Sequence, residues 1–403
     1  MMNRRTFVQG AALGGMATML PRCLFAHTDT DARFVLVILR GALDGLAAVP
    51  AYGDGSYAGK RGELAITTPQ YKLDGTFALN PALQHLHERY QANELIVFHA
   101  VASPYRERSH FDGQDLLENG TTDATRAHDG WLNRALPAMP ATKTRNTEQL
   151  ALALAQNVPL VLRGGARVNS WAPSKLPQAD SDTLQRIADL YSDDQYFASR
   201  LQAALAADEV AGAQMQEDAQ DMGKGGRDPL KALGPVTAAA GKFLAAADGP
   251  RIAVIEASGW DTHANQGAEN GQLANRLRGL DAGLESLRAA LGPAWRDTAI
   301  LVVTEFGRTV AVNGTRGTDH GTATSAFLLG GAIAGGRVIA DWPGLATSAL
   351  YQGRDLRPTL DLRAICKGIL ASHLGVTQAA LEEKVFPESR GVKMLDGLIR
   401  TVA

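Results

Sequence analysis

Phe34-Val35-Leu36-Val37-Ile38-Leu39 is an unbroken apolar run rich in β-branched residues. Successive strand side chains point to opposite faces, so an uninterrupted run reads as a strand covered on both sides. That is the condition of strands in parallel sheets. The pattern returns at Leu95-Ile96-Val97-Phe98, Pro159-Leu160-Val161-Leu162, Ile252-Ala253-Val254-Ile255, Ala299-Ile300-Leu301-Val302-Val303 and Ser325-Ala326-Phe327-Leu328-Leu329. Helical patterns lie between these runs. One spans Pro81 to Gln91, with Asn80 as cap and Pro81 in the first turn. Another spans Gln266 to Leu291, where Leu273, Leu277, Leu280, Leu284, Leu287 and Leu291 recur at four-three spacing and Gly292-Pro293 stops the run. The alternation predicts an α/β fold with a doubly wound, mainly parallel sheet flanked by helices.

Residues from about 171 to 248 break the alternation. Asp180-Ser181-Asp182 can cap a helix with Leu184, Ile187, Leu190 and Tyr191 on one face, and Gln214 to Arg227 is polar, Gly-rich and loop-like. This stretch is expected to be a helical insertion in one large domain covering 27–403.

The first residues carry Arg4-Arg5-Thr6-Phe7-Val8, a mildly apolar run from Gly10 to Leu20, and a small residue at Ala26. A basic start, a short apolar stretch and a small residue describe a removable twin-arginine signal over 1–26. The expected partner during export is the twin-arginine translocase, and the expected location is periplasmic or secreted. The run is too short for a stable membrane span, which takes about 20 apolar residues. The formal net charge is −2, and it becomes more negative once Arg4, Arg5 and Arg22 leave. A mildly acidic chain is a poor nucleic-acid binder. Cys23 and Cys366 are the two cysteines. If Cys23 leaves with the signal, no internal disulfide can form, and the 45% hydrophobic content must hold the fold.

Ligands of open parallel sheets sit beyond the carboxyl ends of the strands. Arg40-Gly41-Ala42-Leu43-Asp44-Gly45 follows the first run, and Arg108-Ser109-His110-Phe111 follows the second at some distance. Trp260-Asp261-Thr262-His263 follows the Ile252 run, and Thr304-Glu305-Phe306-Gly307-Arg308 follows the Ala299 run. Gly317-Thr318-Asp319-His320-Gly321 precedes the last one. Carboxylates and imidazoles together are the ligand set of zinc, manganese, iron and, for the oxygens, calcium. Each residue also has a plainer reading. Asp44 can be a turn residue, Asp261 a helix cap, Glu305 a partner of Arg308, and Asp319-His320 part of a structural loop. Ser109 stands where a helix begins. It is either an N-cap or a nucleophile beside the free N–H groups of a helix start.

Together these stretches resemble a bacterial family of twin-arginine-exported proteins, domain of unknown function 1501, in the alkaline phosphatase and sulfatase superfamily. The resemblance implies an alkaline-phosphatase-like fold with a metal pocket and a nucleophile at a helix start. It implies Ser109 as nucleophile and Asp44, Asp261, His263, Glu305 and His320 as metal ligands, with His110 or Asp319 supplying a further one. Arg308 would contact a small anionic ester substrate. The chain departs from phosphatases in spacing Asp261 and His263 by two and in carrying Glu305-Phe306 where they have an Asp-His pair. The sulfatase signature is absent at Ser109. Two functions follow from this. One is a metal-dependent hydrolase of phosphate or sulfate esters. The other is a non-catalytic periplasmic binding or assembly protein on a degenerate version of the fold.

Overall fold

The run at Phe34 becomes strand β1, Arg33–Arg40, with both faces covered. Val35, Val37 and Leu39 pack into one apolar layer, and Phe34, Leu36 and Ile38 into the other. The computed structural model describes residues 31–140, 150–173, 181–191 and 229–401, with Asp194, Phe197, Ala198, Leu201 and Gln202. The expected signal and the loop Gln214–Arg227 lie outside the described residues.

The other strands are β2 (Tyr71–Lys72), β3 (Ala78–Leu79), β4 (Leu95–Ala102), β5 (Ala151–Leu154), β6 (Asn169–Ser170), β7 (Ile252–Ser258), β8 (Thr298–Thr304), β9 (Thr324–Leu329), β10 (Arg337–Ile339) and β11 (Leu360–Asp361). Among the described residues one sheet runs β10-β4-β9-β8-β1-β7-β5-β6, with β11 also on β4. Only β9 opposes its neighbours, pairing antiparallel with β4 and β8. The 305–323 connection into β9 contains no helix, and it is a helical crossover that usually returns a strand in the parallel sense. Because β9 is reversed, its start lies at the rim where the neighbouring strands end.

Helices cover both faces of the sheet, as a doubly wound arrangement requires. The helix Gln272–Leu291 buries Leu273, Leu277, Leu280, Leu284, Leu287 and Leu291, the four-three seam read from sequence. Each leucine removed from water in this way contributes roughly 1.5–3 kcal/mol. Leu233, Ala240, Phe243 and Leu244 of the helix Pro229–Ala245 share that layer. Ile365, Cys366, Ile369 and Leu370 of the helix Leu362–Ser372 fill the opposite one.

Three local readings are corrected. The long helix begins at Gln272, not at Gln266. Pro159–Leu162 is not a strand: Leu160–Leu162 is a 3₁₀ turn, closed by Leu162 N–H on the Pro159 carbonyl and Arg163 N–H on the Leu160 carbonyl. The strand here is β5, eight residues earlier, parallel to β7. Ala151 and Ala153 share a layer with Val161 and Leu162, while Leu152 and Leu154 face the other. Both runs are buried and apolar, so apolarity alone could not separate them. The helix read over Pro81 to Gln91 begins at Gln84. Asn80 instead accepts from Ala82 N–H and donates to the Ala47 carbonyl. The free N–H groups of His85 and Leu86 are taken by Asp281, on the neighbouring helix, at 3.0 and 2.9 Å.

Candidate metal centre

Four strand ends and the start of β9 meet at one rim. After β1 the chain turns through Gly41 at φ 119°. A Cβ at Gly41 would stand 2.6 Å from the Asp261 amide nitrogen, so only glycine lets the segment after β1 pass this close to the one after β7. Gly317 does the same on the other side, where a Cβ would lie 2.3 Å from the His263 carbonyl. These close approaches bring Asp261, His263 and His320 together.

His110 opens the helix His110–Asn119. Its Nε2 lies 3.0 Å from His320 Nε2, which lies 3.0 Å from His263 Nε2. The Asp261 carboxylate completes the group. Its Oδ1 is 3.0 Å from His263 Nε2 and 3.3 Å from His320 Nε2, and its Oδ2 is 3.6 Å from His110 Nε2. The ligand atoms of His110, Asp261 and His320 all fall within 4.8 Å of one another.

The far nitrogen of each ring faces an acceptor. His110 Nδ1 meets Glu305 Oε1 at 2.8 Å, His320 Nδ1 meets the Arg108 carbonyl at 2.9 Å, and His263 Nδ1 meets Asp319 Oδ1 at 3.4 Å. A carbonyl can only accept, and so can an ionised carboxylate. The ring protons therefore sit on Nδ1, and the Nε2 lone pairs point at each other. Lone pairs 3.0 Å apart need a proton or a cation between them. Imidazoles oriented by a carboxylate or carbonyl behind them are the usual surroundings of a metal-ligating histidine. Three nitrogens and a carboxylate oxygen suit zinc, and also manganese or iron. Calcium prefers six to eight oxygens.

Charge at the site follows from these contacts. The bond from Glu305 raises the His110 pKa above its ordinary value against the opposing effect of burial. Burial lowers that of His320, with its bond to the Arg108 carbonyl opposing. Burial would raise the Asp261 pKa, but the Arg308 bond and charge outweigh it and hold the carboxyl below the usual range. Burial likewise opposes the lowering of the Glu305 pKa, which the His110 bond secures.

Glu305 is thus brought to the site but stands behind His110, accepting also from Gly41 N–H at 2.8 Å and Gln114 Nε2 at 3.2 Å. Asp319 stands behind His263 and accepts from Asn313 Nδ2. Asp44 is not brought to the group. Its Oδ2 is held by Arg61 Nη2 at 2.5 Å and Gln266 Nε2 at 2.7 Å, and its Oδ1 accepts from Ala47 N–H. Arg308 does not face an open cleft. Its side chain is fully buried, donating to Asp261 Oδ1 at 2.5 Å and to the Thr318 hydroxyl and carbonyl. Ser109 precedes the helix without making a side-chain capping bond, and its N–H donates to the Tyr105 hydroxyl at 3.0 Å. Phe306 fills the space behind the cluster, stacked on His110 with ring centroids 5.0 Å apart.

Sequence reasoning missed Arg61, Gln114 and Asp355, whose carboxylate accepts from Arg108 Nε at 2.8 Å. Gln114 was findable, since it lies one helical turn after His110 on the same face. Nothing local pointed to the other two.

Residues 92–386, more than half of the chain, match the family described as Protein of unknown function (DUF1501). This chain belongs to the DUF1501 family. Among curated proteins no sequence matches this DUF1501 chain. Solved structures that this chain matches include Ps i-CgsB in complex with k-i-k-neocarrahexaose, at 9% identity and TM-score 0.44, covering 91% of this chain and 75% of that one. Another is the C-terminal periplasmic domain of EcEptC from Escherichia coli in complex with Zn, at 9% identity and TM-score 0.32, covering 75% and 73%. A third is the phosphonate monoester hydrolase of Agrobacterium radiobacter, at 12% identity and TM-score 0.32, covering 86% and 74%. At such distances these likenesses carry nothing about the chemistry of the DUF1501 chain, which rests on its own residues.

Proposed function

We propose that this protein is a metal-dependent hydrolase of small phosphate or sulfate esters, with a divalent cation held by His110, Asp261, His263 and His320. One observation carries the reading: three imidazole Nε2 atoms and a carboxylate converge while an acceptor behind each ring fixes its tautomer. A bound divalent cation would supply Lewis-acid polarisation of an ester oxygen. Ser109 would attack the ester from the start of a ten-residue helix, where free N–H groups and the positive dipole end favour an anion. Arg308 would keep Asp261 ionised and in place rather than touch substrate. Export by the twin-arginine pathway to the periplasm or beyond belongs to the same proposal and rests on Arg4-Arg5. Among the described residues no helix is long and apolar enough to cross a membrane.

A second reading is a non-catalytic cation-binding protein. Four protein ligands fill a tetrahedral shell, as structural zinc sites do, whereas catalytic sites keep a position open. Elemental analysis of the purified protein, with turnover of aryl phosphates and aryl sulfates by wild type and Ser109→Ala, decides between them. Bound transition metal with turnover lost in Ser109→Ala supports the hydrolase. Metal without turnover supports the binding protein, and absence of metal removes both.

A further inference from the structure

Arg108 stands behind the cluster, and its backbone lies at φ 63°, a left-handed conformation that costs a non-glycine residue free energy. Its carbonyl is the acceptor that fixes the His320 ring. Its guanidinium is gripped from the opposite side, with Nε donating to Asp355 Oδ2 at 2.8 Å and Nη2 to Gln352 Oε1 at 2.7 Å. The Tyr351 ring lies 5.9 Å below. The Asp355 side chain is wholly buried, and its other oxygen lies 3.3 Å from Arg354 Nη1. Asp355 belongs to a turn in which Tyr351 N–H donates to its carbonyl, and it pairs with Thr309 in an isolated bridge. From the same turn Arg354 Nη2 donates to the His320 carbonyl at 2.8 Å. His320 is therefore bracketed, its ring by Arg108 and its backbone by Arg354.

A buried ion pair is a weak route to stability, because desolvation consumes most of the attraction. This one joins the turn at 351–355 to the residue that orients one imidazole and leads, through Ser109, into another. We propose that Asp355 and Arg108 are positioning residues for the cation: the pair holds Arg108 in its left-handed conformation so that its carbonyl fixes His320 and its chain direction delivers His110. The inference rests on the cation-binding reading above. It extends that reading to residues that touch no ligand atom.

The test is cobalt(II) alone, titrated into the metal-free full chain. Affinity comes from competition with a chelator, geometry from the visible bands, and stability from the melt of the metal-free protein. Arg108→Lys and Asp355→Asn should bind cobalt(II) about 10–100-fold more weakly, with changed visible bands. Metal-free Arg108→Lys should melt close to wild type, and Asp355→Asn lower, because it leaves Arg108 without its buried counter-charge. Arg288→Ala, which cuts the remote Arg288–Glu285 pair, should leave affinity unchanged. Wild-type affinity and spectrum in Arg108→Lys would overturn the inference, whatever happens to its melting temperature. Arg108→Lys keeps charge and stem, so it carries the test if Asp355→Asn does not fold. Failure of the wild type to take up cobalt(II) would instead sink the cation-binding reading itself.

Discussion

Glu305 Oε1 lies 2.8 Å from His110 Nδ1, and the same oxygen takes a backbone N–H from Gly41 and an amide N–H from Gln114. One buried carboxylate therefore ties the end of β1, the start of a helix and the end of β8 to a single imidazole. Glu305→Gln keeps the shape and loses the charge. It should weaken zinc binding about 10–100-fold, read by chelator competition. Glu305→Ala leaves buried donors unmet and should cost about 3 kcal/mol of stability in urea unfolding.

Gly41→Ala should be more damaging than its size suggests. The added Cβ meets the Asp261 amide nitrogen at 2.6 Å from a φ of 119°, a conformation L-residues rarely adopt. We expect about 2 kcal/mol or more of destabilisation, a lower Tm and loss of cation binding. Gly55→Ala, whose Cβ would meet nothing within 4 Å, should leave both near wild type.

Arg308→Met keeps most of the buried volume but leaves Asp261 and the Thr318 carbonyl without their donor. The Asp261 carboxylate is 39% exposed, so solvent screens the freed charge and the loss should be about 1–2 kcal/mol. Thermal melts should show the loss. Cation affinity should fall as well, because Asp261 is then free to turn away. A variant with intact cation affinity would show that Asp261 needs no anchor.

His99 sets an acid limit on stability away from the cluster. Burial pushes its pKa from 6.5 down to about 4, while the Val49 bond and the charge of Asp44 oppose. Its Nε2–H donates to the Val49 carbonyl and its Nδ1 accepts from Ala100 N–H, so both nitrogens are used by the neutral ring. The folded pKa is depressed, so the unfolded chain takes up the proton first. The contribution is complete above pH 6.5 and is lost as pH falls toward 4, by about 3 kcal/mol. Urea unfolding at pH 7.5 and 4.5 should show that component in wild type and lack it in His99→Leu. Equal pH dependence in the two proteins would contradict the assignment.

Much of the sheet was legible because buried strands advertise themselves: the runs at Phe34, Leu95, Ile252, Ala299 and Ser325 each became strands. Ala151–Leu154 did not stand out, since alternating alanine and leucine carry little β preference and the Pro159 run nearby is equally apolar. The cap of the helix at Gln84 was illegible because Asp281 lies 196 residues away from His85. For the site, sequence supplied the residues and the rim but not the layers of contact. Asp44, Glu305 and Arg308 look like ligands or substrate contacts until their partners are known. Arg61, His110 and Asp261 are those partners, and none is adjacent in sequence to the residue it holds.

His110 and His320 are separated by 210 positions, and Asp261 and His320 by 59. No short stretch of the unfolded chain can therefore gather this set of donors, and the proposed cation uptake would have to wait until the sheet has closed. If the cation-binding proposal holds, whichever compartment hosts that closure would decide which ion is offered, and a metal found in the purified protein would record where the polypeptide matured.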